Sequence, residues 1–202
     1  CVFSSFRIAS DCELITTPVQ EDKCVGSRFE LALEPGTPRR VDRIVANRVR
    51  RDPPVDIDEF WGESLHETAE IRDVGFDAAL EQQAATWNDV WKNLDIEIDG
   101  DPENQQGARY CLFQLHQSYH GLDPSLNVTA KGLTSEYYYG WTWWDTETYC
   151  LPFYLFNNPR AARNLMLYRH LTLPGALERA NDMDCAGARY PMGTIDGHEA
   201  VF

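Results

Sequence analysis

Hydrophobic spacing changes character once along this chain, and that change limits the folds open to it. In the first fifty residues apolar side chains fall in short runs and alternations. Phe29, Leu31 and Leu33 lie on one side of the run Ser27 to Leu33, with Arg28, Glu30 and Ala32 on the other. Cys1 to Ile8 is a second apolar-rich run, and Val41 to Val49 a third, with Val41, Ile44 and Val45 among arginines. A period of two belongs to a strand with one covered face. Glu34-Pro35-Gly36-Thr37-Pro38 reads as a turn between two of these strands. Residues 1–50 are therefore expected to be strands at the edge of a larger sheet.

Residues 51–75 are polar, contain Pro53-Pro54, and read as a linker with short helical pieces. From Phe76 the spacing becomes three and four. Leu80, Ala84, Trp87, Trp91 and Leu94 form one stripe, the mark of an amphipathic helix. Asp95 to Gly100 breaks it. Asp101-Pro102 is an N-cap followed by proline at the first helical position, and the helix it opens runs to about Tyr119, with Ala108, Leu112, Leu115 and Tyr119 on one face. A loop follows over 121–144. Asp145 opens a third helix reaching Leu155, and Asn158-Pro159 a fourth carrying Ala162, Leu165, Tyr168 and Leu171. Leu173-Pro174-Gly175 interrupts, a helical stretch continues to about Met183, and 186–198 is a loop. Strands first and helix pairs afterwards make the class α+β.

Composition removes several functions. Of 202 residues, 43% are hydrophobic, so a core can form. Eighteen basic against 32 acidic residues leave a net charge of −14, which disfavours nucleic acid and anionic membrane surfaces as partners. Six cysteines without a CxxC pair argue against a disulfide framework or a zinc site. The longest apolar run, Cys150 to Phe156, is too short for a bilayer and contains Pro152. No signal segment opens the chain. The expectation is a cytoplasmic protein without a metal. Both ends read as cut: the chain starts at Cys1 inside a strand-like run and stops at Ala200-Val201-Phe202 without a cap. The triplet Asn127-Val128-Thr129 has the form of a glycosylation acceptor, a form common by chance.

The stretch from Lys131 to Glu147 carries the chemistry. It holds Trp141, Trp143, Trp144, Tyr137, Tyr138 and Tyr139 beside Glu136, Asp145 and Glu147. Aromatic faces cover the C–H faces of a pyranose, and a carboxylate accepts from two neighbouring hydroxyls. The same residues also suit a buried aromatic cluster in which Asp145 caps the following helix.

Several linked segments resemble the maltose phosphorylase family, the inverting disaccharide phosphorylases of glycoside hydrolase family sixty-five. They include Phe29-Glu30-Leu31, Arg43-Ile44-Val45, Ile96 to Asp101, Gln105 to Tyr110, Lys131-Gly132-Leu133-Thr134, Trp144-Asp145-Thr146-Glu147 with Tyr149 to Phe153, Ala162 to Leu165 with Tyr168-Arg169, and Gly187-Ala188 with Tyr190-Pro191-Met192. The resemblance implies the last strands of an N-terminal β-sandwich (1–50), a helical linker (51–75) and the first part of an (α/α)6 catalytic barrel (76–202), incomplete here. It implies phosphorolysis of an α-linked glucose disaccharide, maltose above others, to β-glucose 1-phosphate and glucose. Phosphate is the co-substrate, no cofactor is needed, and the full-length enzyme is expected to be a homodimer.

By the same resemblance Trp144 and Asp145 match a pair that holds the glucose on the non-reducing side of the cleaved bond. Asp196-Gly197-His198-Glu199 matches the start of the loop shaping the acceptor side, which makes His198 and Glu199 substrate-binding candidates; His198 reads equally as a solvated loop residue. Glu199 is followed by Ala200-Val201-Phe202, a departure from the family run. Ser135 and Trp141 also stand where members carry other residues. The family's proton donor lies beyond the Tyr190-Pro191-Met192 block, so no catalytic residue is expected in this chain and the chain alone is expected to be inactive. Glu147, two positions after Asp145, is read as pointing elsewhere. Lys131 either faces the site or supports its loop. Arg39, Arg40, Arg43, Arg48, Arg50 and Arg51 read as the solvated face of a strand pair. Two other functions stay open: a trehalose-cleaving hydrolase of the same family, and a non-catalytic sugar-binding module.

Overall fold

A computed structural model describes residues 1–22, 24–50, 56–133 and 138–200. Pro53-Pro54, Arg51, Ser135, Glu136 and Tyr137 lie outside the described residues, as do Lys23, Thr134, Val201 and Phe202. The chain divides into two compact units, Cys1–Asn88 and Asp89–Phe202.

In the first unit β1 (Val2–Ser10) pairs antiparallel with β4 (Val41–Val49), in register from Val2 opposite Val49 to Ser10 opposite Val41. Between them in sequence, β2 (Ile15–Glu21) and β3 (Cys24–Glu30) form a separate antiparallel pair. The alternation expected over Ser27 to Leu33 therefore ends early: β3 stops at Glu30, and Leu31 to Leu33 are outside any strand. β2 carries Pro18 opposite Ser27, tolerated because a two-stranded ribbon leaves one side of each strand unpaired.

The stretch read as a linker with short helical pieces holds one continuous helix, α1 (Ile57–Asp73). Asp56 caps it by accepting from the amides of Asp58 and Glu59 at 3.0 Å each. Its buried residues, Phe60, Ser64 and Thr68, are spaced by four and lie on one face. Thr68 Oγ1 donates to the Ser64 carbonyl at 2.6 Å, which satisfies that hydroxyl within the helix, while Ser64 Oγ accepts from Arg48 Nη1 of β4 at 3.5 Å. Phe3 of β1 meets Trp61 edge-on at 4.9 Å.

Arg48 of β4 and Arg50, the residue just past its end, do more than face solvent. Arg48 and Arg50 both donate to Glu63 Oε2, at 2.9 and 2.6 Å, and Arg48 also pairs with Glu67 at 2.9 Å. Both guanidinium groups lie over the Phe60 ring. Hydrogen bonding from Arg48 lowers the Glu63 carboxyl below its ordinary value. These residues fasten α1 to β4.

α2 (Phe76–Leu94) follows Gly75, whose φ of +81° ends α1 cleanly. In the second unit α3 (Pro102–Ser118) starts where expected, with Asp101 Oδ1 accepting from the Asn104 amide at 3.0 Å. Arg109 forks onto Asp95 at 2.7 and 2.6 Å, which ties α3 to the break preceding it. After the loop come β5 (Thr142–Trp143), a π-helical turn over Thr146–Cys150, α4 (Leu151–Asn157), α5 (Pro159–Leu171), α6 (Leu173–Asp182) and β6 (Gly193–Thr194). Asn158 caps α5, its side chain accepting from the Ala161 amide at 3.1 Å. Leu173-Pro174-Gly175 opens α6 rather than lying between helices, with only Thr172 separating α5 from α6.

The core of this unit gathers Tyr119, Val128, Tyr154, Ala161, Ala162 and Leu165, with Cys150, Leu151 and Phe153 against it. Burial pushes the Tyr119 hydroxyl up to about 12. Gly121 sits so close to α5 that a β-carbon there would lie 2.4 Å from Ala161 Cα, and Asn164 donates to the Gly121 carbonyl at 2.8 Å. This contact seats the loop after α3 on α5.

Candidate sugar-binding corner

The aromatic loop returns to the core through β5, which pairs antiparallel with β6: Thr142 stands opposite Thr194 and Trp143 opposite Gly193. A β-carbon on Gly193 would meet the Trp143 ring at 3.4 Å, an ordinary van der Waals distance, so the indole packs directly over β6 at this residue. Thr142, Thr146 and Thr194 are buried. The Thr142 and Thr146 hydroxyls are 3.4 Å apart, and Thr146 Oγ1 donates to the Val128 carbonyl at 3.4 Å. Buried hydroxyls with partners fix a turn as apolar side chains cannot. The loop is also strained: Tyr138 and Tyr139 hold positive φ angles of 68° and 54°, and Gly140 follows at 73°. Lys131 lies over the Tyr138 ring at 5.8 Å, and Tyr138 meets Trp143 edge-on at 5.4 Å. Lys131 thus supports the loop through an aromatic face.

Trp144 and Asp145 stand at the mouth of this turn. The Trp144 amide donates to the Met192 carbonyl at 3.4 Å, just before β6. Its side chain is 63% exposed, and Asp145 is exposed too. Asp145 has helical backbone angles and its side chain makes no capping hydrogen bond, so the reading of Asp145 as a helix cap is not realised. The following turn is π-helical, with the Leu151 amide reaching back to the Thr146 carbonyl. Pro152 has no N–H to continue the four-residue spacing, which favours the wider turn.

Glu147 points away from solvent. Arg169 of α5 donates to both its oxygens, Nε to Oε1 and Nη2 to Oε2, each at 2.8 Å. The same Nη2 donates to the Trp143 carbonyl at 3.3 Å. Arg169 is 8% exposed and lies over the rings of Tyr168 and Tyr190. Tyr190 Oη donates to the Arg169 carbonyl at 2.9 Å, and Tyr168 Oη to the Ile195 carbonyl at 2.9 Å. Burial pushes the Tyr168 hydroxyl up to about 12. One guanidinium therefore joins the turn, β5 and α5, and lies against the Tyr190 ring of the segment leading to β6. Sequence reasoning missed this role for Arg169, because 22 residues separate it from Glu147 and no local spacing links them.

His198 and Glu199 follow β6, on a loop closed by the Ala200 amide donating to the Gly193 carbonyl at 2.8 Å. The Gly197 amide donates to Thr194 Oγ1 at 2.7 Å. His198 is exposed, its amide donates to Asp196 Oδ1 at 3.0 Å, and its ring lies 3.8 Å from Glu178. Glu199 forms an ion pair with Arg179 of α6, whose Nη1 also donates to the Tyr190 carbonyl at 3.3 Å. The β5–β6 pair thus brings the segment carrying Trp144 and Asp145 beside the base of the loop carrying His198 and Glu199. The side-chain nitrogen of Asn127, in the triplet Asn127-Val128-Thr129, is buried in the fold. Among the described residues no group of three or more His, Cys, Asp or Glu is placed to hold a metal ion, and no helix is long and apolar enough to cross a membrane.

Comparison with known proteins adds to this geometry. Residues 109–202 match the family described as glycosyl hydrolase family 65 central catalytic domain. The chain is 40% identical over 143 residues to the maltose phosphorylase of Bacillus subtilis (strain 168), an alignment covering 70% of this chain and 19% of that protein. It is 33% identical over 199 residues to the α,α-trehalose phosphorylase of Thermoanaerobacter brockii, covering 98% of this chain and 25% of the relative. A solved structure described as a kojibiose phosphorylase from the human microbiome superposes with a TM-score of 0.82 at 35% identity, over 99% of this chain and 26% of that one. The chain spans about a fifth to a quarter of the length of these relatives. Its helices and small sheets match that part of a family 65 phosphorylase fold.

Proposed function

Since residues 109–202 belong to the central catalytic domain of glycosyl hydrolase family 65, we propose that this chain holds the glucose-binding corner of a disaccharide phosphorylase. In this reading phosphate cleaves an α-glucosidic disaccharide, maltose before kojibiose or trehalose, to β-glucose 1-phosphate and glucose. The strands of residues 1–50 belong to a β-sandwich, 51–75 to a linker, and 76–202 to the first part of an (α/α)6 barrel. The whole enzyme acts in the cytoplasm as a homodimer with no cofactor beyond phosphate.

Trp144 covers the C–H face of the glucose on the non-reducing side, and Asp145 accepts from two of its hydroxyls. His198 and Glu199 shape the acceptor side. The observation that carries the reading is the state of Asp145: an exposed carboxylate at the start of a turn that it does not cap. An inverting phosphorylase needs a proton donor for the leaving oxygen but no base, because its nucleophile is already an anion. No carboxylate here is assigned that donor role. Both oxygens of Glu147 are taken by Arg169, and Glu199 is paired with Arg179.

Two measurements on the purified chain test the reading. Glucose, followed by tryptophan fluorescence, should bind saturably, with affinity reduced about tenfold or more in Asp145→Ala, as expected for a lost charge-assisted hydrogen bond. Phosphate with maltose, trehalose, kojibiose or nigerose should release no glucose. An affinity indifferent to Asp145, or turnover on any of the four sugars, overturns the corresponding half.

A further inference from the structure

We propose that Arg169 is the positioning residue of this corner, setting the orientation in which Trp144 and Asp145 meet a sugar; the proposal rests on the reading of that pair given above. The argument begins with placement. Arg169 grips Trp143 through its carbonyl and Glu147 through both carboxylate oxygens. Those two residues lie on either side of Trp144-Asp145 in the chain. The dipeptide is therefore fixed from both ends by one side chain, while its own side chains stay exposed.

The clamp is rigid for physical reasons. A guanidinium facing a carboxylate with two parallel N–H donors admits one planar arrangement, unlike a lysine ammonium. Arg169 is 8% exposed and lies near the Tyr168 and Tyr190 rings, so water competes weakly for its hydrogen bonds. Its backbone is fixed in turn, because Tyr190 Oη donates to the Arg169 carbonyl. Trp144 has a third tether in the Met192 carbonyl. Arg169 itself is buried, whereas the pair it holds is exposed. It acts through Trp143 and Glu147, as supporting residues must when a binding pair is to be held in productive geometry.

The test compares the parent chain with Arg169→Lys, Glu147→Gln and Asp145→Ala. Arg169→Lys keeps the charge and removes the fork. Amide hydrogen exchange at Trp144 and Glu147 should accelerate tenfold or more in Arg169→Lys and in Glu147→Gln. Exchange at Leu165, in the core of the same unit, should stay within twofold, which separates loosening of the corner from unfolding. Glucose affinity should fall tenfold or more in both variants. Asp145→Ala should lose affinity while exchange at Trp144 stays as in the parent.

Unchanged exchange at Trp144 in Arg169→Lys overturns the clamp. So does accelerated exchange with unchanged glucose affinity, since the clamp would then be structural only. If glucose fails to bind the parent, or Asp145→Ala binds it normally, the sugar reading fails and the positioning role goes with it. Exchange at Leu165 rising in step with Trp144 also overturns the proposal, because the variant would then loosen the whole unit.

Discussion

Tyr154 Oη donates to the backbone carbonyl of Leu115 at 2.6 Å, joining α4 to the last turn of α3. Tyr154 is 1% exposed, and burial pushes its hydroxyl well above the ordinary tyrosine range. Tyr154→Phe keeps the ring and its edge-on contact with Tyr119 but leaves that carbonyl without this donor. The variant should lose about 1–3 kcal/mol of stability, read as a lower urea midpoint at constant slope.

Trp144 and Asp145 should behave in the opposite way. Both are exposed, and the Asp145 side chain caps nothing. Asp145→Asn and Trp144→Ala should each shift stability by no more than about 0.5 kcal/mol, while both weaken glucose binding. Thermal unfolding of the two variants beside a glucose titration separates a binding residue from a structural one.

The loop seat at Gly121 should tolerate no side chain. Its φ is +68°, and a β-carbon would lie 2.4 Å from Ala161 Cα, a backbone atom that cannot rotate away. Gly187 also has positive φ, +89°, but nothing lies within 4 Å of its β-carbon position. Gly187→Ala should therefore cost only the backbone term, about 1–2 kcal/mol. Gly121→Ala should add an overpacking term of about 1–3 kcal/mol. Equal midpoints for the two variants would show that α5 yields at Ala161.

Stability should fall on mild acidification through His116. Burial lowers its imidazole below the ordinary 6.5, and the nearby His120 charge lowers it further. Between that lowered folded value and 6.5 the unfolded chain binds more protons than the folded one. The contribution is therefore full above 6.5 and is lost as pH falls toward the folded value. Urea midpoints of the parent should drop between about pH 7.5 and 5.5, and His116→Gln should flatten that part of the profile.

The parts of this structure visible in the sequence were those fixed by local chemistry. Asp101-Pro102 and Asn158-Pro159 cap helices where their side chains reach an amide three residues on. The run Val41 to Val49 forms a strand over its whole length. α1 was obscured because its covered face is Phe60, Ser64 and Thr68, a stripe with one large apolar residue. β2 was hidden by Pro18 and by its exposed threonines, with only a two-stranded ribbon to join. At the corner itself, the chemistry of Trp144 and Asp145 was legible from residue type. Their support by Arg169 was not, since it depends on α5 folding back across 22 residues to Glu147. The strand arginines were read as solvated because charge pattern alone does not reveal that Glu63 and Glu67 of α1 face them.

The π-helical turn Thr146–Cys150 holds one residue more than an α-helical turn would. Glu147 and Tyr154 are seven apart, a separation that in an unbroken helix returns to nearly the same azimuth. One added residue shifts that phase by roughly 100°, so Glu147 can reach Arg169 while Tyr154 reaches Leu115 on another flank. Removing any single residue from this turn would thus act as a twist rather than a shortening: it would make the two anchorages compete for one side of the rod.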